Sequence, residues 1–284
     1  MTPVEVTLPA TIGPLAALRI ERPGAPKVIA LHGWLDNAAS FLPLLPHLPP
    51  LDLVLLDSPG HGRSAHLPPG AEYVLATYVH AVLDVADALG WERFALLGHS
   101  MGAAVASLVA VAQPQRVERL ALIENLGPLA EEADAAPARL HQAVGAARAR
   151  RGRSLRVFPE LEVAVRARLQ ASPMAEHAAR LLVERGTHAV EGGHVWSSDP
   201  RLTLPGAQRM TEVQVQALLR ALECPLHVVH ARRAQPYFTE QMRAARLAVV
   251  PQAAVTVLDG GHHLHMDMPE AVAAALGRFL AAGG

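Results

Sequence analysis

Two kinds of hydrophobic pattern alternate along the chain. Val28–Leu31, Leu53–Leu56 and Phe94–Leu97 are short, almost wholly apolar runs. Continuous apolarity over so short a length predicts strands buried on both faces, as in a parallel sheet flanked by helices. Leu120–Ile123, Leu226–Val229 and Ala254–Leu258 continue the series. Between them apolar residues recur at helical spacing, most clearly over Thr77–Leu89, while Ala103–Ala112 is small and apolar all round, as a buried helix would be. Alternating strands and helices predict an α/β fold. The opening residues differ: Val4–Leu8 alternates apolar and polar, Leu15–Ile20 is a further short strand, and Arg22-Pro23-Gly24-Ala25-Pro26 turns the chain before Val28. They predict an antiparallel hairpin at a sheet edge.

One stretch breaks the rhythm. From about Gly127 to Pro205 no buried strand stands out. Arg139–Arg151 and Glu160–Gln170 keep helical spacing in an Ala/Arg/Glu-rich setting, and Gly192–Pro205 brings turn residues and Trp196. The insertion is too long for a loop, so a mostly helical cap is expected over 127–205, on a core built from 1–126 and 206–284.

Composition narrows the picture. The 284 residues are 51% hydrophobic, enough for one large core that carries an inserted subdomain. The formal net charge is −1 and Lys27 is the one lysine, so no basic patch calls for nucleic acid. A single cysteine, Cys224, excludes an intrachain disulfide and reads as a small buried hydrophobe. Met1–Ile20 lacks the basic start of a signal peptide, and no uninterrupted apolar run approaches the ~18 residues of a membrane span. A cytoplasmic protein without a membrane partner is expected.

Candidate chemistry starts at Gly98-His99-Ser100-Met101-Gly102, which a strand enters and an apolar helix leaves. That is the context of a nucleophile elbow, with Ser100 lifted above the sheet at a helix N-terminus. The amide of Met101 is then one oxyanion donor, and that of Trp34, in Leu31-His32-Gly33-Trp34 after the first buried strand, is the second. His32 is expected to brace this loop. A serine hydroxyl needs a base, and Gly260-Gly261-His262-His263-Leu264-His265 supplies one before the final amphipathic helix Pro269–Leu280. His262, directly after the glycines, is preferred over His263 and His265. No two-histidine helical motif with a partnering Glu supports a metal, and no cofactor is expected.

In this order the elbow, the oxyanion loop and the late histidine resemble the α/β-hydrolase superfamily over nearly the whole chain. Asp57-Ser58-Pro59-Gly60-His61-Gly62-Arg63-Ser64 looks like that family's D-x-P-G-x-G-x-S loop, which implies a structural Asp57. Three segments resemble the serine hydrolase-like subgroup of capped esterases: His32-Gly33-Trp34-Leu35-Asp36-Asn37-Ala38-Ala39-Ser40-Phe41, Val195-Trp196-Ser197-Ser198-Asp199-Pro200-Arg201-Leu202, and Gly261-His262-His263-Leu264-His265. The resemblance implies a mostly parallel eight-stranded core, with the cap entering after the sixth strand.

The family's triad acid normally follows the seventh strand. Here Leu226–His230 leads into Ala231-Arg232-Arg233-Ala234-Gln235-Pro236, with no carboxylate. Glu124, at the end of the sixth strand, where some relatives carry their acid, is the preferred substitute. Asp259 is the alternative, set too close in sequence to His262, and Glu240 reads as a solvated helix residue. Phe41, Trp196, Tyr237 and Phe238 are candidates for the substrate pocket, with Trp34 and Met101 beside them, and Arg232 and Arg233 read as a solvated loop.

The expectation is a serine hydrolase of the carboxylesterase type, with Ser100, His262 and Glu124 acting on a small or medium, largely apolar ester. A homodimer is left open. Carbon–carbon bond hydrolysis on the same scaffold is the other enzymatic reading, and a non-catalytic binding module is the reading of another class.

Overall fold

The structure is a computed structural model and describes residues 2–150 and 155–282. In chain order it contains β1 (Val4–Leu8), β2 (Leu15–Ile20), β3 (Lys27–Leu31), β4 (Asp52–Leu56), α1 (Leu75–Ala88), β5 (Phe94–His99), α2 (Met101–Ala112) and β6 (Val117–Ile123). Then follow α3 (Ala136–Ala149), α4 (Leu161–Ala171), α5 (Glu176–Gly186), β7 (Thr187–Val190), β8 (Gly193–Trp196) and α6 (Glu212–Arg220). The chain closes with β9 (Leu226–Ala231), α7 (Glu240–Ala248), β10 (Ala254–Leu258), α8 (Leu264–Asp267) and α9 (Pro269–Ala281).

Eight strands form one sheet in the order β1-β2-β4-β3-β5-β6-β9-β10. β1 and β2 pair antiparallel at its edge and β2 meets β4 antiparallel, while the other pairings are parallel. Each apolar run read from the sequence lies in this sheet, and the opening residues form the expected edge hairpin. Strand alternation sends side chains into two cores. Phe94, Leu96, Leu120 and Leu122 join α1 and α2 on one face. Ala95, Leu97, Ala121 and Ile123 join α9 and the 3-10 helix Ala38–His47 on the other. The helical pattern at Arg139–Arg151 becomes α3, with Arg151 outside the described residues, and Glu160–Gln170 becomes α4.

Between β6 and α6 the chain leaves the sheet through α3, α4 and α5 and the antiparallel hairpin β7–β8, whose pairing runs from Thr187↔Trp196 to Val190↔Gly193. Helical periodicity gives no sign of that hairpin, because its strands are short and half exposed. A small core of Phe158, Ala164, Val165, Ala179 and Val183 holds these elements together, with Trp196 packed against it. Polar straps tie them to the loops above the sheet. Arg185 of α5 lies 2.8 Å from Asp57 and 2.6 Å from Glu5, Arg168 of α4 lies 2.5 Å from Asp36, and Asn37 Nδ2 donates to the Leu182 carbonyl at 2.8 Å.

Candidate active site

Candidate residues gather at the carboxyl ends of the parallel strands, where open α/β sheets bind ligands. Ser100 directly follows β5 and takes φ 52° and ψ −110°, while its N–H donates to the Ile123 carbonyl at 2.9 Å. The flanking glycines are sterically required. A Cβ on Gly102 would lie 1.9 Å from the Leu31 carbonyl oxygen, and one on Gly98 would lie 2.6 Å from the Ala103 backbone. Met101 opens α2, so its amide is one of the orphan donors of a helix start. The loop after β3 presents the Trp34 amide, with Leu35 at φ 59°, and the Trp34 indole is fixed by donating to the Leu202 carbonyl at 2.9 Å. Among the described residues Ser100 Oγ makes no hydrogen bond to His262 or to any other group.

Glu124 follows β6 at once. Register pairs His99 with Ile123, so the serine and the glutamate leave neighbouring strands side by side. Glu124 takes φ 63°, its side chain is fully buried, and His262 Nδ1 donates to its Oε2 at 3.2 Å. The other oxygen, Oε1, accepts from the Ala231 amide at the end of β9 at 2.5 Å. Burial opposes ionisation of this carboxyl, but the bonds from His262 and Ala231 and the nearby Arg243 charge outweigh it and hold its pKa below the ordinary value. Tyr237 places its hydroxyl 3.4 Å from His262 Nε2, and burial, reinforced by the Glu124 charge, pushes that phenol up to about 12.

His262 is also held from below. The buried His99 ring donates from Nε2 to the His262 carbonyl at 2.9 Å, and burial pulls the pKa of His99 down to about 4, so it stays neutral. Asp36 Oδ2 lies 3.6 Å from His99 Nδ1 and 3.5 Å from His263 Nε2. Burial resists the charge of Asp36, yet His263 and the Arg168 charge keep its carboxyl well below the usual range. Among the described residues no group of three or more His, Cys, Asp or Glu side chains has a metal-holding arrangement.

The structure thus brings Glu124 to His262, with Ser100 and Met101 at the start of α2 and Trp34 on the loop after β3. His32 braces its loop as expected, accepting from the Ser58 amide at Nε2 (3.0 Å) and donating from Nδ1 to the Gly33 carbonyl (2.7 Å). Asp57 accepts from the amides of Ala38 and Arg63 and from Arg185, a structural load. Asp259 faces away to pair with Arg232, both largely exposed, and Glu240 is exposed at the start of α7. Two pocket candidates need correction. Phe41 and Phe238 are each 1% exposed and built into the two cores, so they offer no surface to a substrate. Trp196 packs on Phe158 at 5.3 Å, whereas Tyr237 does stand at the site. Sequence reasoning missed His99, although it lies inside the elbow motif, and Arg243, whose Arg-rich helix reads like any solvated one.

Comparison with known proteins identifies the fold. The profile described as alpha/beta hydrolase fold matches residues 26–269. Serine hydrolase-like protein 2 of Homo sapiens is 30% identical over 97% of this chain and 93% of its own. A crystal structure of a hypothetical protein from Pseudomonas aeruginosa is similar with a TM-score of 0.91 and 45% identity, covering 99% of this chain and 100% of that one. The thioesterase domain from the curacin biosynthetic pathway is similar with a TM-score of 0.82 and 26% identity, covering 99% and 100%.

Proposed function

This chain belongs to the alpha/beta hydrolase fold family, and from that premise we propose that it is a serine hydrolase that cleaves carboxylic esters through an acyl-enzyme. The observation that carries the reading is the hydrogen bond from His262 Nδ1–H to the buried Glu124 carboxylate, beside a serine in a strained elbow. That bond fixes the tautomer, leaving the Nε2 lone pair to take the Ser100 proton as Oγ attacks the ester carbonyl. The amides of Trp34 and Met101 then stabilise the developing oxyanion. The ring returns its proton to the departing alcohol, and afterwards deprotonates the water that releases the acid. Glu124 stays ionised throughout and stabilises the imidazolium.

Likeness to a thioesterase domain makes thioesters the second substrate class, since a thiolate leaves from the same tetrahedral intermediate. Carbon–carbon hydrolysis and a non-catalytic role are weaker readings. A buried carboxylate is costly, and here it is spent on orienting one histidine ring. A fluorophosphonate probe tests the proposal: folded wild type should be labelled covalently, Ser100→Ala not at all, and His262→Ala at a rate reduced at least about a hundredfold. Folded wild type that stays unlabelled would sink the serine-hydrolase reading.

A further inference from the structure

A carboxylate at the end of β6 has to be held against His262 by something other than the loop after β9. We infer that Arg243 is the positioning residue that does this: its guanidinium, reaching from α7 to the end of β9, fixes Glu124 against the imidazole. The inference rests on the proposed triad and adds a member that acts through Glu124.

Arg243 is 4% exposed, an expensive place for a cation unless anions or carbonyls surround it. Its Nη1 donates to the Ala231 carbonyl at 2.6 Å and lies 3.0 Å from His230 Nδ1, and its Nη2 lies 3.6 Å from Glu124 Oε1. The Phe238 ring supports its flat face, with Cζ 5.4 Å from the ring centre. Neither Nε nor Nη2 has a hydrogen-bond partner among the described residues, so Glu124 is the anion that balances the group. Ala231 closes the arrangement, since its carbonyl takes the arginine while its amide takes Glu124 Oε1. Oε2 is left to the ring.

Other charged or titratable groups facing this pair are accounted for. His230 of β9 contacts Nη1, the Tyr237 hydroxyl lies 3.5 Å from His262 Nδ1 and 3.4 Å from its Nε2, and the His99 and His263 rings pack on His262 at 4.8 and 5.3 Å. Arg246, one turn along α7, packs on the same Phe238 ring but is committed to Glu212 and the Leu126 carbonyl. A neutral core brace would hold the fold equally well. A cation beside the acid should also alter how the Glu124–His262 pair takes up a proton. Removing it lets the pair bind a proton more readily, so the acid limb of kcat/KM moves to higher pH.

The test is ester turnover against pH for wild type, Arg243→Met and Arg243→Lys, with and without Glu124→Gln. Arg243→Met should lower kcat at least about tenfold, leave KM within about twofold, and raise the acid limb by about half to one pH unit. In the Glu124→Gln background the same change should cost under about threefold, because its route through the acid is already cut. Arg243→Lys keeps the charge and the wild-type limb but not the planar fork, so kcat should fall about three- to tenfold. Should the methionine variant fail to fold, the lysine variant decides: one indistinguishable from wild type in kcat overturns the inference. An unmoved acid limb in folded Arg243→Met, or a full tenfold loss in the Glu124→Gln background, does the same. Wild type that reacts with the fluorophosphonate probe separates these failures from failure of the triad itself.

Discussion

Leu35, Ser100 and Glu124 are the residues other than glycine that take positive φ among the described residues. Left-handed backbone costs a side-chain-bearing residue roughly 1–2 kcal/mol. The three do not scatter. Leu35 shapes the loop that presents the Trp34 amide, Ser100 is the elbow, and Glu124 turns its carboxylate from the sheet end towards His262. Strain collected at one place is what a preorganised centre requires, because surrounding packing has to hold it. Glu124→Gln should keep the shape but lose the charge that stabilises an imidazolium, so ester turnover should drop by about 10³ to 10⁴ in kcat. Wild-type kcat in that variant would remove Glu124 from the role. The sequence singled out Glu124 because residues 232–236, directly after β9, hold no carboxylate. It gave no hint of Arg243, because what makes that arginine special is burial against a distant strand end.

Among the elements, α5 is tied to the sheet through one buried arginine. Arg185 joins Asp57, itself fully buried after β4, and Glu5 of β1, and its side chain is only 6% exposed. Taking one partner from a buried pair strands the other, at a cost of about 3–5 kcal/mol. Arg185→Met is therefore expected to lower Tm by several degrees, and a melt that coincides with wild type would show the strap to be idle. Strands β3 to β6 and β9 were readable because burial on both faces writes itself as unbroken apolarity. The apolar run of β10 was readable too, although this edge strand leaves Val255 43% and Val257 42% exposed. The hairpin β7–β8 was not, since its strands show no such run. It is set by contact instead: a Cβ on Gly193 would lie 2.0 Å from the Phe158 carbonyl oxygen, so the hairpin docks against Phe158 only with glycine there.

For the molecule as a whole, buried histidines set the response to acid. Burial holds the pKa of His32 down to about 4, of His61 to about 3, of His99 to about 4, and of His265 well below the usual value. In the unfolded chain these rings protonate near pH 6.5. Below that pH the unfolded state binds more protons than the native state, so stability is full above 6.5 and falls as pH drops towards 4. Each ring contributes about 1.4 kcal/mol per pH unit within that window. The urea midpoint should hold steady from pH 8 to 7 and fall steeply between about 6.5 and 5; equal midpoints at pH 7 and pH 5 would contradict this. At the opposite extreme, the exposed Arg232–Asp259 pair after β9 and β10 adds little to stability. In the proposed triad the acid comes from the end of β6, so residues 232–236 take no part in the proposed reaction. Insertions and exchanges there can retarget recognition while the chemistry stays anchored in the sheet, which makes this the segment where the enzyme can diverge, or be engineered, at least cost.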